Sequence, residues 1–138
     1  MAYLRRDEIL PDEAVVVRGG ILGGGVEELQ EQAEDEFTRL LVEGDPDPVY
    51  GLSVCSLPNM TADEIAVAVG PERLPHARMR TTTVEALRAC GYEVVPSAWR
   101  GHATIVLRGP ATEEDWHNLQ ESFGEPMDNP VGRRRRTQ

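Results

Sequence analysis

The sequence predicts an α+β fold: a single domain with a short mixed or mostly antiparallel sheet of about five strands and four helices packed on it. Three observations carry that reading. Short β-branched runs alternate with segments of helical apolar spacing. Those runs are too short for a doubly wound parallel sheet, despite the alternation that would otherwise suggest one. The last two runs, 92–95 and 102–107, lie close enough in sequence to pair as a hairpin.

The first element is residues 14–18 (AVVVR), bounded by Asp12 and Glu13 before and Gly19 and Gly20 after, which reads as a buried strand. The glycines at 23, 24 and 25 make a loop. From 26 to 41, apolar side chains fall at 26, 29, 33, 37, 40 and 41, a helical spacing. The outer face of that helix is acidic, with Glu27, Glu28, Glu31, Glu34 and Asp35. Gly44 and the two prolines at 46 and 48 end it. Residues 49–56 (VYGLSVCS) form the second strand.

Thr61 with Glu64 has capping-box spacing and opens a helix that Gly70 closes. Residues 76–81 read as a strand with Arg78 and Arg80 on one face. Thr82 with Glu85 repeats the capping-box spacing, and the helix it opens stops at Gly91. The two runs at 92–95 and 102–107 complete the strands. Thr112 caps a last helix whose first turn holds Glu113, Glu114 and Asp115, where the helix dipole favours negative charge. Residues 1–125 are thus expected to form one domain, and residues 126–138 a flexible basic tail ending in Arg133 to Arg136.

At 138 residues the chain supports one core, built from Val, Leu, Ile and Ala because aromatics make up only 5%. The two cysteines, Cys55 and Cys90, show no framework spacing, which fits a reducing compartment. No apolar stretch is long enough for a membrane span, and the first residues lack a signal-peptide core, so the chain reads as cytoplasmic. All fourteen basic residues are arginine. With no lysine, Schiff-base chemistry and a P-loop lysine are excluded.

Net charge is −10. That sign argues against duplex DNA, whose binding rests on neutralising phosphates. The charge is uneven: residues 1–60 carry −9, residues 61–110 carry +1, and residues 111–138 carry −2. The central segment concentrates Arg73, His76, Arg78, Arg80, Arg88, Arg100, His102 and Arg108. Arginine forks and imidazoles are the groups that hold phosphate-like anions and move protons around them. This predicts a small domain that binds or acts on RNA or a nucleotide, of toxin type. His76 and His102, each beside a loop, are its candidate catalytic acid and base. Arg18, Arg78, Arg80 and Arg100 are its candidate anion-binding residues.

The alternative is an acidic interaction module of antitoxin, immunity or inhibitor type, with no catalytic activity. It would engage a basic protein partner through Glu31, Glu34 and Asp35. Arg18 would then serve to tie the first strand to the acidic helix through a salt bridge. No cofactor and no metal is expected, because Cys55, His76, Cys90 and His102 lack ligand spacing and the glycines lack the dinucleotide fingerprint. His117 falls on the polar side of the last helix.

Arg18 followed by Gly19 at a strand end, with Tyr50 and Ser53 on the next strand, resembles the opening of ADP-ribosyltransferase-like domains. The resemblance implies that Arg18 contacts a nucleotide cofactor and that the later strand carries a functional serine. It covers about six residues. The family's late Glu-x-Glu has no counterpart, with only Glu93 and Glu125 available to stand in.

Overall fold

The valine run forms β1 (Val15–Gly19), and it sits inside the sheet because its side chains are apolar on both faces. The structure is a computed structural model and describes residues 9–20 and 24–132. After β1 come α1 (Gly25–Val42), β2 (Gly51–Ser56), α2 (Ala62–Val69) and β3 (Arg78–Thr83). Then come α3 (Val84–Ala89), β4 (Val94–Pro96), β5 (His102–Val106), α4 (Glu113–Ser122) and β6 (Met127–Asp128). The strands form one open sheet in the order β4-β5-β2-β1-β3-β6, with every neighbouring pair antiparallel. The fold is α+β as the sequence predicts, with six strands and four helices packed against the sheet.

Alternation along the strands divides the core in two. Val16, Leu52, Val54, Ala103 and Ile105 point into a cluster completed by α1, α3 and α4. Val17, Cys55 and Met79 point the other way, into a cluster completed by Ile65 and Ala66 of α2 and by Leu57 and Leu74. A sheet covered on both faces needs apolar residues at successive positions. That explains why the runs read as continuous β-branched stretches rather than clean alternations.

Local chemistry sets most boundaries where the sequence placed them. Thr61 and Thr112 each form a capping box, with Glu64 and Asp115 respectively. The start of α3 differs. Thr82 stays in β3, opposite Val16, and the cap passes to Thr83, whose hydroxyl accepts from the Ala86 N–H at 3.1 Å. The sheet ladder outweighs the capping-box spacing here, because the β1–β3 pairing runs on through Val15↔Thr83. Pro96 is tolerated in β4 because it ends an edge strand.

Residues 126–132 carry β6, paired with β3, and the fully buried Asn129. The Asn129 side-chain amide donates to the carbonyls of Leu74 and His76, pinning the loop before β3. The arginine run at 133–136 lies outside the described residues. No helix among the described residues is long and apolar enough to cross a membrane.

Pairing at the centre of the sheet is uneven. β1 pairs with β3 along its whole length, from Val15↔Thr83 to Gly19↔Met79. Its pairing with β2 covers only Val16↔Ser56 and Val17↔Cys55. Beyond Val17 the two central strands part.

Gly51, at the start of β2, lies tight against the backbone of β5. A methyl group there would overlap the carbonyl oxygen of Ile105. Gly51→Ala is therefore expected to destabilise the domain by about 2 kcal/mol, as overpacking does where backbone cannot yield. Chemical denaturation measures this. An unchanged midpoint would mean that the β2–β5 spacing is not fixed.

Candidate functional site

The parting of β1 and β2 leaves the Ser53 carbonyl without a ladder partner. Arg18 supplies one: its Nη1 donates to Ser53 O at 2.9 Å. Its Nη2 donates to the side-chain oxygen of Gln32 on α1, and its Nε is buried with no hydrogen-bond partner among the described residues. Arg18 does reach the acidic helix, but through an amide rather than a carboxylate. Among the described residues no carboxylate forms a salt bridge with it. Burial lowers its pKa, and the charges of Glu28 and Glu36 oppose that shift from a distance. A partly buried guanidinium bonded only to neutral acceptors keeps its charge available to an anion.

Around Arg18 opens a cleft of about 410 Å³, walled by α1, β1, β2, the loop before β3 and the loop before β5. Its floor is a buried polar network. His102 (5% exposed) pairs in register with Cys55, so its side chain shares a face with Ser53 and Thr104. Its Nε2 lies 2.7 Å from Ser53 Oγ and 3.1 Å from Arg39 Nη2. Its Nδ1 lies 2.9 Å from Ser97 Oγ and 3.2 Å from Ser97 O. Ser97 Oγ lies 2.8 Å from Thr104 Oγ1, which donates to Glu36 Oε2 at 2.7 Å. Glu36 (3% exposed) closes the circuit through an ion pair with Arg39.

The direction of these bonds is fixed by what each group can do. Thr104 gives its proton to the carboxylate, so it must accept from Ser97. Ser97 then has no proton left for His102, so Nδ1–H is the donor in that bond. Arginine can only donate, so Nε2 carries the single lone pair, which Arg39 Nη2 at 3.1 Å and the nearer Ser53 hydroxyl at 2.7 Å share. The imidazole is neutral with its proton on Nδ1. Its pKa is pulled down to about 4, first by burial and then by the Arg39 charge.

Trp99 forms the wall above. The Arg73 guanidinium lies 3.9 Å from its ring centroid, and the His102 ring is tilted against it at 5.1 Å. The loop that carries Ser97 and Trp99 turns through Ala98, buried with φ 60°, a left-handed conformation costing roughly 1 kcal/mol for a residue with a Cβ. Cys55 also faces the cleft, but burial pushes its thiol up to about 11, so it is no thiolate at neutral pH. Among the described residues, no three His, Cys, Asp or Glu side chains gather to hold a metal ion.

Of the residues singled out from sequence, Arg18, His76 and His102 line this cleft. His76 stands in the loop before β3 rather than within it. Its ring covers Gly19, where a methyl group would overlap it. Arg100 faces a separate cavity of about 280 Å³ on the other side of Trp99 and His102. Arg78 and Arg80 lie elsewhere. Arg80 binds the carbonyls of Gln120, Phe123 and Gly124 at the end of α4, and Arg78 binds Pro126 O and Asp128. Both spend their donors on the fold. Glu31, Glu34 and Asp35 are exposed on α1, and Asp35 also borders the cleft.

Glu36, Arg39, Ser97, Trp99 and Thr104 are not singled out by the sequence, and Arg73, which also lines the cleft, is marked there only as a member of the central arginine cluster. One signal for them exists: the buried stripe of α1 runs Leu29, Ala33, Glu36, Leu40, which puts a carboxylate where the spacing calls for an apolar side chain. No protein-family model matches the chain, and no curated protein and no solved structure matches it. The resemblance to ADP-ribosyltransferase-like domains rests on Arg18, Gly19, Tyr50 and Ser53; Arg18, Gly19 and Ser53 border the cleft, whereas Tyr50 lines a separate hollow with Leu107 and Pro110. Glu93 and Glu125 do not. Glu93 is exposed and engages Arg88.

The low pKa of His102 makes stability pH-dependent in a definite sense. Unfolded, the imidazole binds a proton below about 6.5; folded, it resists until about 4. The unfolded state therefore gains protons first, and stability falls as pH drops from about 6.5 to about 4. The contribution is on the order of 3 kcal/mol at most, from about 1.36 kcal/mol per unit. Denaturation of the unsubstituted chain and of His102→Gln at about pH 7 and about pH 4.5 isolates it. The gap between the two should shrink at the lower pH, and a constant gap would show that His102 is not held neutral by the fold.

Proposed function

We propose that the cleft binds a nucleotide or the end of an RNA strand. The observation that carries this reading is the charge of Arg18, buried beside the cleft and compensated by no carboxylate contact among the described residues. A phosphate oxygen would give the Arg18 guanidinium the anionic acceptor it lacks, in surroundings where charge-assisted bonds are strong. Arg73 supports the reading from the rim. Stacked on Trp99 and exposed, it offers a planar cation on which a base can lie. His76, from the same loop before β3, adds a ring nitrogen as a further polar contact.

The test is fluorescence titration of 5′-AMP and of a short single-stranded RNA into Trp116→Phe protein. That variant leaves Trp99 as the sole remaining one of the chain's two tryptophans. Saturable quenching is expected. Arg18→Gln should weaken it about 10-fold or more, the equivalent of one lost charged hydrogen bond. Arg73→Ala, at an exposed position, checks the result independently of folding. Absence of quenching at millimolar ligand, or equal affinity in both variants, would overturn the reading.

A second reading rests on the outer surface of α1. There Glu31 and Glu34 share the helix with Leu41 and Val42, which are 56% and 80% exposed. Acids beside uncovered apolar side chains suit a basic protein partner. Combined Glu31→Arg and Glu34→Arg should abolish capture of a basic protein that co-purifies with the chain. Capture at the unsubstituted level would remove this face from consideration.

A further inference from the structure

We propose that Ser53 is a nucleophile activated by His102, and that it attacks the phosphorus of a phosphoester seated in the cleft. This rests on the reading of the cleft as a phosphate site and adds a reaction to it. Three geometric facts carry it. Ser53 Oγ lies 2.7 Å from an imidazole nitrogen that bears a lone pair. The far side of that imidazole is anchored at Ser97, and through Thr104 the chain of donors ends on the buried Glu36 carboxylate. The protons from Nδ1 onward therefore point away from Ser53, and the Ser53 proton points at Nε2, at shorter range than the Arg39 donor beside it. The Oγ lone pairs are left for the cleft.

Two cations lie beside the Ser53–His102 pair. Arg18 is bonded to the carbonyl of Ser53 itself, and Arg39 Nη2 lies 3.1 Å from the same Nε2. They sit where negative charge develops on the phosphoryl oxygens during attack. Arg39 also opposes protonation of His102 while the cleft is empty. A bound anion offsets that charge, so His102 becomes a competent base when substrate is present. Glu36 Oε2, 3.6 Å from Nε2, stabilises the imidazolium once formed.

The atoms balance without a metal or redox partner. Ser53 Oγ bonds to phosphorus as the bond from phosphorus to the leaving oxygen breaks. The Oγ proton passes to His102 Nε2 and from there to the leaving oxygen. Water then attacks the phosphoserine, giving its proton to Nε2, and the Oγ–P bond breaks as that proton returns to Ser53. Phosphomonoester or phosphodiester hydrolysis of a nucleotide is the net reaction.

A fluorophosphonate probe tests the nucleophile directly. Ser53 Oγ displaces fluoride from phosphorus, and the Oγ proton leaves through His102 to solvent. Incubation of the full chain should give a single phosphonyl adduct by intact mass, mapped to Ser53 by peptide sequencing. His102→Gln, shown folded by its thermal melt, should label about 100-fold more slowly or less, the loss typical of a missing general base. Mapping on the unsubstituted chain needs no variant to fold. No adduct, an adduct on another residue, or equal rates in His102→Gln would overturn the proposal. Quenching of Trp99 by 5′-AMP without labelling would overturn the Ser53 reaction alone and leave the phosphate site standing. Loss of both would overturn the two together.

Discussion

The buried carboxylate of Glu36 is the constraint on which the cleft depends. A charge placed in the interior must be paired and hydrogen-bonded, or the fold gives way. Glu36 meets that requirement with the Arg39 ion pair on one oxygen and the Thr104 hydroxyl on the other. Because a carboxylate can only accept, it fixes the sense of every bond upstream of it. The orientation of Ser97, the tautomer of His102 and the direction of the Ser53 hydroxyl are all consequences. One acidic residue on α1 thus sets the proton positions of residues contributed by β2, β5 and the loop before β5.

The second constraint is the parting of β1 from β2. Continuous pairing would bury the Ser53 carbonyl against backbone and close the space that the cleft occupies. Arg18 holds the strands apart while satisfying that carbonyl. The cost is a guanidinium with a buried, unpaired Nε. Cores discard such arrangements unless something else recovers the energy. Ala98, buried with a positive φ, is a second local departure from low energy beside the same space. Strain and unsatisfied polarity are thus concentrated at one cavity, the pattern on which the proposed binding role draws.

The fold is legible in the sequence because its signals are local. Threonines 61 and 112 with their partner acids, glycines after helices and β-branched runs each act within a few residues. The start of α3 is misread from spacing alone because a long-range ladder carries β3 on to Thr83. The site is legible only in part. Arg18 stands out by its place at a strand end, and His102 by opening the best-formed strand. Arg78 and Arg80 belong to the same charge cluster, but the end of α4 and the segment after it take their donors. No local pattern announces that a helix so far along the chain will need its C-terminal carbonyls covered. Glu36 is visible as an acid in an apolar stripe. The contributions of Ser97 and Thr104 depend on which strand lies beside which, and no spacing encodes that.

The acidity of the chain and the proposed anion site are compatible once distances are considered. Screening limits the reach of exposed charges to about 8–10 Å at physiological ionic strength. The glutamates on the outer turns of α1 therefore act weakly on a ligand in the cleft, whereas Arg18 and Arg73 act at contact. Among the described residues, Asp35 and Glu36 are the acidic ones lining the cleft, and Glu36 is already committed to Arg39. A small phosphate ester feels mainly the local arginines. A long polyanion would also meet the acidic helix along its length. On the proposed reading, the charge pattern that disfavours duplex nucleic acid is compatible with a single nucleotide or a strand end, and the roughly 410 Å³ of the cleft is within the range of small-molecule sites.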